Sequence, residues 1–154
     1  MIRFYGKASG KVDDKGRIVF PAVFRDAMAR SGSEEMTLII KKSVHGGCLD
    51  LYAMEEWEKR SDKVLESLDP ELNPGHAAFW AKYNDDVYTV IPDGKLGRLN
   101  IPEELLKAAG ITKDVVFAGV GYKIQIWDKA TREQGLLSDD EFKMTATTLS
   151  RMTR

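Results

Sequence analysis

Cysteine is nearly absent from this chain. Cys48 stands alone, so no internal disulfide can form, and the sequence suits a reducing compartment. Histidine is almost as scarce, with only His45 and His76. No apolar stretch reaches the length of a signal-peptide core or a membrane span, and the opening MIRFYGKASGK reads as mature, soluble, cytoplasmic sequence with no membrane partner. An excess of positive charge is missing too. The formal net charge is −1, which argues against a nucleic-acid binder if the charge is spread evenly.

These shortages leave little material for catalysis. His45 and Cys48 in His45-Gly46-Gly47-Cys48 have the spacing of half a metal site, but nothing supplies the other half. The two glycines read instead as a turn, with Cys48 packed as a small apolar residue. His76 is isolated. Asp85 and Asp86 with Asp93 read as solvated or capping carboxylates rather than a cation site. No acid, base and nucleophile converge, so the reading is of a non-enzyme with no cofactor and no metal.

Charge is unevenly placed. Residues 1–25 hold Arg3, Lys7, Lys11, Lys15, Arg17 and Arg25 against Asp13 and Asp14. Residues 55–72 hold Glu55, Glu56, Glu58, Asp62, Glu66, Asp69 and Glu71 against Lys59, Arg60 and Lys63. The beginning is basic and the middle acidic.

The strongest feature is an internal repeat. Gly16-Arg17-Ile18-Val19-Phe20-Pro21 aligns with Gly97-Arg98-Leu99-Asn100-Ile101-Pro102 at a constant offset of 81, from Arg17 to Arg98. A short helical stretch follows each proline and is closed by Gly32 or Gly110. Apolar strands follow at Met36 to Ile40 and Val115 to Val120. Second strands then match Leu49-Asp50-Leu51-Tyr52 to Ile124-Gln125-Ile126-Trp127, apolar on one face and polar on the other. Each copy reads as strand, turn, strand, helix, strand, strand, too short to close a core alone, so two copies must pack together. Between them Trp57, Val64, Leu65 and Leu68 mark one apolar stripe on an acidic helix from Met54 to Leu68, which Asp69 to Gly75, with Pro70 and Pro74, breaks. Ser138-Asp139-Asp140-Glu141 has the pattern of a capping box opening a C-terminal helix, whose end TTLSRMTR should fray.

In Asp13-Asp14-Lys15-Gly16-Arg17 a tight turn uses Gly16 for positive φ and projects a lysine and an arginine from a sheet. Such a turn holds a guanidinium steady for base edges or phosphates, with Asp13 placed to orient Arg17. A polar hairpin facing water would look the same, but Gly97-Arg98 recurs at the equivalent position.

At these residues the chain resembles the MraZ family, with two domains of the SpoVT/AbrB swapped-hairpin class. The carriers are DDKGRIVFP at 13–21, CLDLYAMEEWEK at 48–59, GRLNIPEELLKAAGITKDVVFAGV at 97–120 and IQIWDKATRE at 124–133. The resemblance implies a mainly β fold with α (α+β): a double-split, swapped-hairpin β-barrel of two pseudo-repeats with flanking helices. Repeat 1 would span 7–54, an acidic helix and linker 55–82, repeat 2 86–130, and a C-terminal helix and tail 131–154. It further implies a nucleoid-associated transcriptional regulator of the bacterial division and cell-wall gene cluster, binding direct repeats in promoter double-stranded DNA as a ring-shaped homo-oligomer. The family's DxxxR motif falls on Asp13, Lys15, Gly16 and Arg17, and in the second copy on Arg98. There Gly94 replaces the aspartate, with Asp93 displaced by one residue, which leaves Arg98 without an assigned orienting partner.

A ring answers the charge objection, since several weak basic loops on one face can engage successive DNA repeats together. The competing reading is an oligomeric assembly or interaction protein with little DNA affinity, using Trp57, Trp80, Tyr83 and Trp127 as an aromatic interface.

Overall fold

The computed structural model describes residues 2–32 and 36–152. Among them the chain forms eight strands and six helices. The first copy runs β1 (Phe4–Lys11), β2 (Arg17–Val19), α1 (Ala22–Arg30), β3 (Leu38–Lys42) and β4 (Leu49–Ala53), followed by α2 (Met54–Glu66) and α3 (Pro74–Asn84). The second runs β5 (Tyr88–Val90), β6 (Arg98–Asn100), α4 (Glu103–Ala108), β7 (Asp114–Gly121) and β8 (Ile124–Asp128), followed by α5 (Lys129–Glu133) and α6 (Asp139–Met152). The expected order of elements is present in both copies, in an antiparallel α+β fold.

The pairing explains why neither copy suffices. The main sheet has the order β1-β7-β8-β4-β3-β5, and β2 pairs with β6 in a separate ribbon. Each copy's first strand thus pairs with the third strand of the other: β1 on β7 through eight residue pairs, β5 on β3 through three. The order is palindromic about the β8–β4 junction, as two exchanged repeats require. Both sheets enclose one core. Alternation sends Ile18 and Leu99 inward from the ribbon, where they join Phe20, Leu38, Leu51, Phe117 and Ile126. Phe24 of α1 meets Phe4 of β1 edge-on at 5.8 Å and Phe117 of β7 at 6.5 Å, so the aromatic centre draws on both copies.

Both short helices end as expected, Gly32 and Gly110 adopting φ of 83° and 65°. The capping box is also present: Ser138 N–H donates to Glu141 Oε1 at 3.2 Å and Glu141 N–H to Ser138 Oγ at 3.1 Å.

Several expectations change. The third strand of copy 1 begins at Leu38, so Met36 lies outside it. β4 does not show a polar solvent face. All five of its residues are buried, because α2 folds back over the outer side of the sheet and seals Ile39, Tyr52 and Trp57 into a second small cluster. Asp50 is held there by Lys123 Nζ at 3.0 Å. Of the apolar stripe on α2, Trp57 is buried while Leu65 stays exposed. The break after α2 is short, for Pro74 opens α3, and Asn73 Oδ1 accepts from the His76 amide as N-cap. α6 runs to Met152, and Thr153 and Arg154 at the end of TTLSRMTR lie outside the described residues. No helix among the described residues is long and apolar enough to cross a membrane.

Candidate nucleic-acid interface

The first turn is tied by its own backbone. Asp13 N–H donates to Arg17 C=O at 2.9 Å and Gly16 N–H to Asp13 C=O at 3.1 Å. Gly16 takes φ +78°, and a Cβ there would sit 3.3 Å from the Ile101 carbonyl oxygen, so both conformation and space require glycine. The Asp13 carboxylate accepts from Lys15 N–H at 2.9 Å, from Arg17 N–H at 2.8 Å and from Arg17 Nε at 2.8 Å. The Arg17 amide, and then its guanidinium, hold that carboxyl below its ordinary value. Lys15 projects exposed from the turn.

The second turn is one residue longer. Asp93 and Arg98 exchange both backbone hydrogen bonds, at 2.9 and 2.8 Å, so Asp93 takes the backbone place of Asp13. Its carboxylate turns to the Gly94 amide at 2.9 Å instead of the arginine. Among the described residues Arg98 makes no ion pair.

Strand pairing brings the two turns together. Arg17 lies opposite Asn100 and Val19 opposite Arg98, with Ile18 and Leu99 inward between them. The outer face of the ribbon is therefore Arg17, Val19, Arg98 and Asn100, and the two arginines are diagonal neighbours, roughly 7–8 Å apart at Cα in such pairings. Each turn glycine also anchors the other copy: Ile101 N–H donates to Gly16 C=O at 3.0 Å and Phe20 N–H to Gly97 C=O at 2.8 Å. Lys15, Arg17, Arg98 and Asn100 line one open groove of about 600 Å³ together with Ile91, Pro92, Gly94 and one carboxylate, that of Asp93.

Sequence reasoning placed Asp13, Lys15, Gly16, Arg17 and Arg98, all of which lie on or beside this groove. It missed Asn100, which reaches the groove only because β6 runs antiparallel to β2. Arg25 lies outside the groove lining; its guanidinium packs beside Gly97 and its Nη2 donates to the Phe20 carbonyl at 3.3 Å. Two guanidinium forks, an ammonium and an amide on a short rigid ribbon suit phosphate oxygens or the acceptor edge of guanine.

The rival chemistries find other uses for their residues. Cys48 is buried, and desolvation pushes its thiol up to about 11. Asp86 accepts from the Lys42 amide at 2.7 Å, closing the end of β3. Trp57, Trp80 and Phe79 each stack on Tyr83, with centroids 5.6 to 5.9 Å away.

A family model for MraZ proteins, described as antitoxin-like, matches residues 4–71 and 87–153. A protein of Bacteroides fragilis named transcriptional regulator MraZ is 39% identical over 142 residues, covering 92% of this chain and 87% of its own. Its namesake in Bacteroides thetaiotaomicron is 37% identical, covering 92% and 88%, and that of an Acidovorax species 33%, covering 84% and 85%. Two family-matched segments, one on each strand-exchanged copy, together with relatives matched along nearly the whole chain, place this chain in the MraZ family.

Proposed function

We propose that the chain is a DNA-binding regulator of transcription rather than a catalyst, acting in the cytoplasm on the nucleoid. The observation that carries this is the convergence of Arg17 and Arg98, one from each copy, on the outward face of the β2–β6 ribbon, with Lys15 of the adjoining turn lining the same groove. The names of the relatives support it. In this reading residues 7–54 and 86–130 are the repeat units, and Asp13 and Gly16 hold the turn from which Lys15 and Arg17 reach double-stranded DNA. Arg98 contributes from the second copy with more conformational freedom, since no carboxylate holds it.

One ribbon offers few cations, so affinity for promoter direct repeats would come from a ring-shaped homo-oligomer presenting several ribbons to successive repeats. The targets in this reading lie upstream of the division and cell-wall gene cluster. Each phosphate neutralised should steepen the fall of affinity by about one log unit per log unit of salt.

The test is a titration against a labelled duplex from upstream of that cluster at two salt concentrations, beside Arg17→Ala and Arg98→Ala, with mass measured by light scattering. Salt-sensitive binding that Arg17→Ala weakens roughly tenfold or more, with the wild-type mass retained, supports the reading. Binding no tighter than to random DNA overturns it and favours an assembly protein.

A further inference from the structure

The two copies bury the outer faces of their sheets unequally. In copy 1 the outer face at Ile39 and Tyr52 is sealed by Trp57 and Tyr83 from the two helices that follow β4. The corresponding face of copy 2, around Val116 on β7, is crossed only by the short α5. It keeps an open groove of about 320 Å³ between β1 and α5, lined by Lys7, Ser9, Val116, Lys129, Arg132 and Glu133. Glu133 is spoken for by Lys129 at 3.9 Å. Among the described residues Lys7 and Arg132 have no ion-pair partner, and Arg132 Nε is shielded from solvent without a hydrogen bond.

The helix that follows α5 does not cover this groove. α6 has no buried residue, and its Phe142, Leu149 and Met152 are 67%, 54% and 75% exposed. These three recur at seven and three residues and so share one face. The first turn carries Asp139, Asp140 and Glu141, opposite in sign to Lys7, Lys129 and Arg132. A carboxylate-rich turn followed by an aromatic ring complements a cationic rim over an apolar floor.

We propose that this groove receives the first turns of α6 from a second copy of the chain, with Phe142 over Val116 and Asp139 and Asp140 at Lys7 and Arg132. A groove on one copy filled by a helix of the next is a heterologous, head-to-tail contact, and such contacts close into rings when the rotation permits. The inference rests on the ring reading above and names its interface.

Light scattering over a range of protein concentrations tests it on the full chain, with helical circular dichroism to confirm that α6 is intact. Wild type should assemble. Arg132→Glu, Asp140→Arg and Phe142→Ser should each fall to the single-chain mass. An equimolar mixture of Arg132→Glu and Asp140→Arg should reassemble, because every junction then pairs opposite charges. Variants that keep the wild-type mass, or a mixture that stays dissociated with its helices intact, overturn this interface and leave the ring reading standing. A wild type that runs as a single chain at every concentration overturns both. α6 folding back into the groove of its own chain would show as wild-type mass in every variant and counts against the proposal.

Discussion

Asp13 carries three hydrogen bonds on one half-buried carboxylate, and each is made only by the ionised form at full strength. Because its folded pKa lies below the ordinary 3.8, the stabilisation it gives the turn is complete above 3.8 and is lost as pH falls through the lowered value. The Arg17 Nε–H resonance should therefore stay sharp and shifted on acidification until below 3.8 and then merge with exchange-broadened arginines. Asp13→Asn should abolish the shift at every pH and weaken DNA binding less than Arg17→Ala does. A different balance holds at Asp50, which is 2% exposed and paired with Lys123. Asp50→Ala strands the largely covered Lys123 ammonium and should cost about 3 kcal/mol in urea unfolding, with Asp50→Asn milder. Asp13 was legible in the sequence because its partners lie within four residues of it. Asp50 was not: the alternation around it matches a half-exposed strand, and its burial depends on α2 and on Lys123, 73 positions away.

Among the elements, β1 and β7 leave no room for a side chain at Gly119. A Cβ there would lie 2.6 Å from the Phe4 carbonyl carbon and 2.7 Å from the Tyr5 nitrogen, both backbone atoms that cannot step aside singly. Gly119→Ala should push the start of β1 away from β7, at a cost of about 1–3 kcal/mol, with faster amide exchange confined first to the β1 residues facing Gly119. An unchanged melting temperature would mean that the strand end is looser than this spacing requires. The helices differ in how openly the sequence displays them. α1, α4 and α6 announce themselves through a closing glycine or a capping box, all local chemistry. α3 hides, since Pro74-Gly75 looks like a break although proline is well suited to the first helical turn. Its aromatics at 79, 80 and 83 also follow the stacking of rings on Tyr83 rather than a core-facing period. The family match leaves out 72–86, so a family pattern offers no help across α3.

For the whole molecule, the offset of 81 revealed that two copies must share a core, but not which strands change sides. Order along the chain does not distinguish β1 pairing within its own copy from β1 pairing with β7. The observed exchange has a consequence for divided chains. Cut between Leu72 and Asn73, the first fragment keeps β1 but loses β7, and keeps β3 but loses β5, so its longest strand and its ribbon strand β2 are both left without partners. Self-pairing could rescue it only by laying the eight-residue β1 along the five-residue β3, whereas β7 matches β1 through all eight positions. Gly10 is fitted to Phe117 and Val115 of β7, at 3.1 and 3.3 Å from where a Cβ would stand. We therefore expect fragments 1–72 and 73–154 each to lack near-ultraviolet circular dichroism alone. Mixed, they should regain it as a one-to-one pair, which mass spectrometry under native conditions would weigh, and recover binding to the duplex, since Arg17 and Arg98 reach one groove only when β2 and β6 meet. A first fragment that folds unaided would show that β1 and β3 tolerate the mismatch, and that the exchanged pairing is one of two comparably stable arrangements.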